Sequence, residues 1–244
     1  MPEARHGSTP ITDIRRGSTA ITEVRRGSTL VWTRNTKADY FDRDDASTLG
    51  AGWADCGPSN DYKVGIENGT ARLKLPEGLI GGFFAHRVSS ARYTVATASA
   101  DDGYVECRAA TRGDPSSWLD GVFHDFDTRL YWRVSNTVTD ADEASGVGIS
   151  MQHGQCFITG MVDGNATHHG DGGAFQPGDR LRLTYEGNVH RLYVNGTARV
   201  TWTDSGNTVP KGAGYRSMLL WTEAGKDFLG PRRFAPALDY VIMA

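Results

Sequence analysis

Apolar and polar side chains alternate over short runs along most of the chain, which is the pattern of β-strands with one buried face. The clearest single run spans Gly103 to Thr111, where the predicted buried face carries three small side chains, Val105, Cys107 and Ala109. Residues 178–202 contain three more alternating runs in succession, and Asn195-Gly196 between the last two suits a type I′ hairpin turn. We therefore predict three consecutive antiparallel strands there.

Further alternating runs, punctuated by glycine, cover much of the rest of the chain after residue 38. The chain has 30 glycines, and long helical periodicity is missing. The other predicted strands are 66–73, 93–98, 130–135, 146–151, 155–162, 217–222 and 237–243. Residues 168–173, which are rich in glycine and histidine, are predicted to form a loop tip. A total of about ten to thirteen strands predicts an all-β fold, a two-sheet antiparallel jelly-roll sandwich.

The first 32 residues follow a different pattern, in which one ten-residue phrase is written three times. Two or three apolar side chains per copy are too few to offset the entropy of ordering ten residues. We therefore predict short strands joined by Gly-Ser-Thr turns, an assembly or attachment segment at 1–34, and a globular domain at 38–244. The side chains predicted to make assembly contacts are the apolar ones of the repeat, Ile11, Ile14, Ile21, Val24, Val31 and Trp32.

Composition and net charge argue against several classes of partner. The formal net charge is −3, so we expect no nucleic-acid partner. We also expect no membrane insertion, because no apolar run approaches the length of a bilayer span. The polar N-terminus lacks the pattern of a secretion signal, and three cysteines are too few and odd in number for a disulfide framework. These features predict folding in a reducing cytoplasm.

The strand pair at residues 178–196 carries the first family resemblance. Its pattern, Gly-Asp-Arg-Leu-Arg-Leu-Thr-Tyr-Glu-Gly-Asn-Val-His-Arg-Leu-Tyr-Val-Asn-Gly, resembles the centre of one sheet in concanavalin A-like (laminin-G-like) jelly rolls. Phe41-Asp42-Arg43, Leu49-Gly50 and Trp53 resemble the start of such domains. The resemblance spans residues 38–244 and implies the fold more specifically than a function.

Some members of this superfamily are glycoside hydrolases, which carry their catalytic carboxylates on one strand as Glu-x-Asp-x-x-Glu. That spacing occurs nowhere in the sequence. His124, Asp125 and Asp127 stand close together, but no nucleophile motif accompanies them. The sequence therefore leads us to expect that the chain is not an enzyme and has no catalytic residues.

Metal chemistry has weak support in the sequence. His153, Cys156, His168, His169 and Asp171 match no established zinc spacing. The acidic clusters at 42–45, 101–102 and 140–143 are predicted to be turn residues. We expect no cofactor and no metal site, with calcium bound by loop carboxylates as the alternative that the resemblance leaves open.

Aromatic side chains supply the candidate ligand-binding residues. A flat ring offers a large, rigid surface to the C–H face of a sugar. Trp118 and Tyr215 lie in glycine- or proline-containing loops and are the two aromatic side chains predicted to be exposed for such contacts. The alternative is that both pack at sheet edges or subunit contacts.

The repeat carries the second resemblance. Arg-Gly-Ser-Thr-x-Ile-Thr-x-Val, ending in Leu-Val-Trp, resembles short repeats that open or link minor tail proteins of phages infecting actinobacteria. It implies a virion structural protein of the tail, assembled in the host cytoplasm, with other tail proteins as partners. It also implies a homotrimer, because intertwined three-fold β shafts are common in phage appendages.

Three functional classes stay open at this point. The first is a structural tail component that displays its sandwich for contact with the host surface. The second is a carbohydrate-binding adhesin for host envelope glycans. The third, given least weight, is an enzyme that degrades such glycans.

Overall fold

The computed structural model describes residues 37–57, 62–75, 86–115, 125–226 and 231–244 with their side chains, and the backbone of strands within 5–33 and at 85, 117–119 and 122–124. In chain order the strands are β1 (Arg5–His6), β2 (Thr9–Pro10), β3 (Ile14–Arg16), β4 (Thr19–Ile21), β5 (Glu23–Arg26), β6 (Thr29–Thr33), β7 (Lys37–Tyr40), β8 (Trp53–Asp55), β9 (Val64–Glu67), β10 (Thr70–Leu73), β11 (Ala85–Tyr93), β12 (Gly103–Ala109), β13 (Ser117–Leu119), β14 (Val122–His124), β15 (Asp127–Val134), β16 (Gly146–Gln152), β17 (Gln155–Val162), β18 (Asn165–Ala174), β19 (Arg180–Glu186), β20 (Val189–Val194), β21 (Thr197–Thr203), β22 (Ser217–Lys226), β23 (Arg232–Phe234) and β24 (Leu238–Met243). A short 3₁₀ helix spans Ala141–Glu143.

Two antiparallel sheets of eight strands each form the body of the molecule. Sheet I runs in the order β21-β20-β19-β12-β24-β10-β9, and β7 also pairs with β24. Sheet II runs in the order β18-β17-β16-β15-β22-β11-β8, and β23 also pairs with β22. The predicted all-β, two-sheet antiparallel sandwich is confirmed, with more strands than the alternating runs suggested.

The main core lies between the two sheets and takes side chains from both. Sheet I contributes Val105, Leu183 and Leu192, and sheet II contributes Leu130, Ile149 and Leu220. Cys107 is completely buried in this core, as its place on the apolar face of β12 predicted. All three cysteines are free and buried, so they act here as small apolar side chains.

The predicted hairpin at Asn195-Gly196 is confirmed by its backbone. Both residues have positive φ, 52° and 84°, as a type I′ turn requires, and the turn connects β20 to β21. His153 and Gly154 also have positive φ and connect β16 to β17. These turns set the register that decides which side chains of each strand face the core.

The repeat forms consecutive short hairpins, which agrees with the predicted short strands. β1 pairs with β2, β3 with β4, and β5 with β6, all antiparallel. Ile14 lies opposite Ile21, and Val24 lies opposite Trp32. Val31 is in β6, whereas Ile11 lies outside the described residues, as do the side chains of all six predicted assembly residues.

Two local predictions were wrong. The strand expected at 93–98 ends at Tyr93 and instead occupies Ala85–Tyr93, where polar and apolar residues do not alternate cleanly. Residues 168–173 are not a loop tip but part of β18, the outermost strand of sheet II. An edge strand with a mostly exposed surface needs few apolar residues, so its composition resembles that of a loop.

One end of the core contains an unusual buried histidine. His190 of β20 is fully buried, and neither of its ring nitrogens has a hydrogen-bond partner among the described residues. Its ring lies between Trp202, at 5.1 Å, and Tyr185, at 5.4 Å. Burial, together with the nearby positive charge of Arg133, lowers the pKa of His190 to about 4. The imidazole is therefore neutral at physiological pH.

The described part of the chain contains no α-helix that could span a lipid bilayer.

Candidate functional site

The face of sheet II that points away from the main core carries a cluster of charged side chains, and we call it the outer face. Along β15, Leu130 and Trp132 point into the main core. Because alternate side chains of a strand point to opposite sides, Asp127 and Arg129 lie on the outer face. Both residues are at the start of β15, which is a central strand of sheet II.

The neighbouring strand β22 adds an aromatic ring and a second carboxylate to the same face. Leu220 points into the main core, so that Trp221 and Glu223 point outward. Arg129 is the direct cross-strand partner of Trp221. Its guanidinium carbon lies 5.6 Å from the centre of the Trp221 ring, within the range of a cation–π contact.

Arg129 bridges the two carboxylates. Its Nε and Nη2 donate to Asp127 Oδ2 at 2.9 and 2.6 Å, and Nη2 lies 3.4 Å from Glu223 Oε1. Because one nitrogen contacts both, Asp127 Oδ2 and Glu223 Oε1 are at most about 6 Å apart. We call Asp127, Arg129 and Glu223 the charged triad.

Three neighbouring groups hold the triad in place. Trp221 Nε1 donates to Glu223 Oε1 at 3.1 Å, and His86 Nε2 lies 3.3 Å from Glu223 Oε2. Ser150 Oγ, from β16, donates to Asp127 Oδ2 at 3.3 Å. Partners from three different strands therefore fix both carboxylates, which is the kind of preorganisation that binding and catalytic sites use.

The two carboxyl groups have pKa values shifted in opposite directions. Burial raises the pKa of Asp127 to about 6, and the charge of Glu223 adds to this against the opposing effect of Arg129. Burial also acts to raise the pKa of Glu223, but its hydrogen bond to His86 and the charge of Arg129 hold it below the ordinary value. A proton near pH 6 therefore binds to Asp127, while Glu223 stays ionised.

One polar atom of the triad is left without a partner. Asp127 Oδ1 is buried and makes no hydrogen bond to any described residue. An unpaired buried carboxylate oxygen costs free energy, which a hydroxyl donor from a ligand would recover. Asp127 Oδ1 is therefore a buried acceptor that no described residue satisfies.

Of the two aromatic residues predicted from the sequence, Tyr215 does not belong to this cluster. Tyr215 is 41% exposed, as expected, but it precedes β22 and so lies at the opposite end of that strand from Glu223. The backbone of Trp118 is in β13, paired with β14, and its side chain lies outside the described residues. The ligand-binding roles of Trp118 and Tyr215 stay predictions.

The histidines and the cysteine considered for zinc are kept apart by the fold. Cys156 is buried in the main core, whereas His168 stacks on Phe157 at the outer face. His169 stacks instead on Trp202, on the other side of β18. No group of three or more potential metal ligands occurs within the described ranges.

The acidic clusters act as turn residues, as predicted. The Asp140 side chain accepts from the backbone of Asp142, that of Asp102 accepts from Gly187, and that of Asp45 accepts from Asn68. Calcium binding by loop carboxylates stays a prediction.

Solved structures that resemble this chain include glycanases. The Bacillus licheniformis β-glucanase aligns with a TM-score of 0.50 at 13% identity, over 86% of this chain and 98% of that one. A β-1,3-1,4-glucanase (lichenase) derived from a mouse hindgut metagenome gives 0.51 at 11%, over 86% and 98%. A protein described as a native glycosidic hydrolase gives 0.52 at 14%, over 86% and 95%.

The fold is a concanavalin A-like jelly roll. The resemblance seen at residues 178–196 is thereby confirmed for the architecture. At these identities the similarity establishes the fold alone. No protein-family model and no curated protein matches the sequence.

The expectation that the chain is not an enzyme is wrong and needs correction. It rested on the missing Glu-x-Asp-x-x-Glu spacing, whereas the fold of this chain is one that glycoside hydrolases use. One strand is also not the only way to bring carboxyl groups together. Asp127 and Glu223 meet from two neighbouring strands, although they are 96 residues apart in the sequence.

Proposed function

We propose that this chain binds uncharged glycan chains on the outer face of sheet II. The observation that carries the proposal is the charged triad, in which Arg129 joins two carboxylates beside the ring of Trp221. Sugar sites combine planar polar groups, which fix hydroxyls, with aromatic faces. The glycan-acting proteins that share the fold support the same ligand class.

The charge of the triad favours a neutral ligand. Arg129 is a single cation shared between two carboxylates, so the three groups together carry a net negative charge when both acids are ionised. A glycan with carboxylate or sulfate groups meets that charge at close range and is repelled. Hydroxyl groups, in contrast, both donate to a carboxylate and accept from a guanidinium.

The test is a binding panel with the purified chain at pH 7.5. Neutral probes are β-1,3-glucan, β-1,3-1,4-glucan, galactan and chitin oligosaccharides, and anionic probes are polygalacturonate and a sulfated galactan. We expect at least one neutral probe to bind with little dependence on salt, and the anionic ones to bind more weakly. Binding confined to anionic probes, or no binding to any probe, contradicts the proposal.

Hydrolysis of the bound glycan is the second candidate, favoured by the opposite pKa shifts of the two carboxyls. Protonated Asp127 is placed to give its proton to the glycosidic oxygen as the carbon–oxygen bond breaks, and ionised Glu223 to stabilise or attack the sugar carbon. Water then completes the hydrolysis. The neutral probes are also incubated with the chain at pH 6 and assayed for new reducing ends, which hydrolysis requires to appear and to disappear in Glu223→Gln.

We also propose that residues 1–34 attach this sandwich to a phage tail as part of a homotrimer. Support comes from the repeat itself, whose strands pair as consecutive two-stranded hairpins. Isolated two-stranded hairpins are marginal in water, so neighbours must supply the stabilising contacts. Several weak glycan sites on one particle would then act together with high avidity.

Light scattering on the chain with and without residues 1–34 checks this second proposal. We expect a trimer for the full chain and a monomer for the shortened one, because the sandwich has its own core. If both species are monomers and no tail protein binds the full chain, the attachment role is contradicted. This result would leave the glycan proposal unaffected.

A further inference from the structure

One side of the sandwich contains a cleft that is separate from the charged triad. It lies between β8, the last strand of sheet II, and β9, the last strand of sheet I, and has a volume of about 170 Å³. Its lining comes from the loop before β8, from β8 itself, from the start of β9 and from β11. Pockets for drug-sized ligands measure roughly 300–1,000 Å³, so this cleft suits a smaller molecule.

The floor of the cleft is apolar. Leu49, Trp53 and Val64 line it, and all three also pack in the main core. Trp53 keeps 9% of its surface exposed, and its Nε1 donates to Asp39 Oδ2 at 2.7 Å, which holds the ring in place. The floor is therefore a fixed apolar surface that includes part of an indole ring.

The mouth of the cleft carries three polar side chains that reach solvent. Thr48 and Asp55 are exposed, and Lys63 is half-buried. Lys63 Nζ forms an ion pair with Asp55 Oδ2, in which the two side chains are 28% and 45% exposed. An ion pair with this exposure contributes little free energy, so both groups can turn towards a ligand at small cost.

The charges at the mouth favour an uncharged ligand with several hydroxyl groups. Asp55 and Lys63 together carry no net charge, so an anion or a cation is attracted by one of them and repelled by the other. A hydroxyl group, in contrast, donates to the carboxylate and accepts from the ammonium group. The apolar floor in turn offers a surface to C–H groups, and a sugar residue has both kinds of group.

We propose that this cleft binds a single sugar residue, either free or at the end of a glycan chain. Leu49 and Trp53 pack against its C–H groups, while Thr48, Asp55 and Lys63 form hydrogen bonds with its hydroxyls. The cleft lies between the edges of the two sheets, whereas the charged triad lies on the outer face of sheet II. The inference therefore does not depend on the glycan binding proposed for the triad.

The test follows two indole N–H signals by NMR in the full chain, labelled isotopically at tryptophan and assigned from Trp53→Phe and Trp221→Phe. Trp53 lines the cleft and Trp221 lies beside the triad, so the signals report on the two sites separately. Probes are the methyl glycosides of glucose, galactose, mannose and N-acetylglucosamine, with free glycine and alanine as zwitterions. We expect at least one glycoside to shift the Trp53 signal with a Kd of about 1 mM.

Asp55→Ala and its matched control, Asp45→Ala, separate binding from folding. Each carboxylate accepts a hydrogen bond from a backbone nitrogen and pairs with one lysine, Lys63 for Asp55 and Lys74 for Asp45. Asp45 does not line the cleft. Asp55→Ala should therefore weaken binding of the glycoside about tenfold, and Asp45→Ala should leave it unchanged.

Three results would overturn the inference. They are a Trp53 signal that no glycoside shifts, an equal loss of binding in both aspartate variants, and a Trp53 signal that shifts with the amino acids alone. Shifts confined to Trp221 would overturn the cleft while supporting the triad. Shifts confined to Trp53 would support the cleft even if the triad binds no glycan.

Discussion

Replacing Arg129 with methionine should lower the affinity for a neutral glycan by about 100-fold or more, because truncating one partner of a buried charged network leaves the others unpaired. In this variant Asp127 and Glu223 face each other without the shared cation, at a separation of at most about 6 Å. The pKa of Asp127 then rises further, since it loses the one opposing positive charge in contact with it. Calorimetry with the strongest neutral probe of the panel measures the loss.

Arg182→Met supplies the matched control for this experiment. Arg182 is on the outer face of sheet I, where Nε and Nη2 donate to the buried Glu106 at 2.8 and 2.7 Å. Its guanidinium also covers an aromatic ring, that of Tyr104, at 4.0 Å. Both variants remove the arginine from a buried carboxylate and should cost stability of about 3 kcal/mol each.

The comparison separates binding from folding. If both variants lose stability to a similar degree and only Arg129→Met loses binding, the triad is the glycan contact. Arg129→Lys keeps a charge without the planar fork, so it should stay folded and bind about tenfold more weakly than the parent chain. Equal binding by all four proteins would remove the triad from the site.

The sequence could predict those parts of the fold in which one face of each strand is buried and the other is exposed to solvent. β19 and β20 are such strands, and Asn195-Gly196 defines the turn from β20 to β21, which only half-buries Val200 and Trp202. Cys107 was predictable for the same reason, because its neighbours on β12 alternate regularly. In these strands the alternation of apolar and polar residues is enough to predict which side chains face the core.

The charged triad could not be predicted because its carboxylates lie on β15 and β22, whose pairing in sheet II the sequence does not show. A second apolar cluster, which includes Tyr131, Leu219 and Trp221, packs on its outer face. Residues 218–221 of β22 are therefore continuously apolar, and nothing local marks which of them face outward. The signal that was present is Trp221-Thr222-Glu223, a carboxylate inside an otherwise buried strand.

Arg133 is another residue whose position could not be predicted from the sequence, in this case because the backbone of its strand is irregular. Arg133 alternates with Trp132 and Val134, which puts it on the opposite face of a regular strand, yet it is buried. A β-bulge between Tyr131 and Val134 turns it, with a φ of 55°, towards the carbonyls of Asp101 and Gly187, to which it donates. A bulge depends on the partner strand and on distant loops, so the sequence of β15 alone does not reveal it.

The buried His190 should make the free energy of unfolding depend strongly on pH. In the unfolded chain an imidazole binds a proton with a pKa near 6.5, whereas burial lowers the pKa in the folded state to about 4. Between these values the unfolded state binds the proton and the folded state does not. The free energy of unfolding should therefore fall as the pH is lowered from 7 to 4, by about 3 kcal/mol from this residue alone.

The variant His190→Phe isolates that contribution, because a phenyl ring fills the space between Trp202 and Tyr185 without a site for the proton. Urea unfolding at several pH values should show the two proteins diverging below pH 6.5, with the variant gaining relative stability down to about pH 4 and no further divergence below that. Parallel profiles for the parent and His190→Phe would mean that the folded state accepts the proton as readily as the unfolded chain, and hence that His190 is not held neutral in the core.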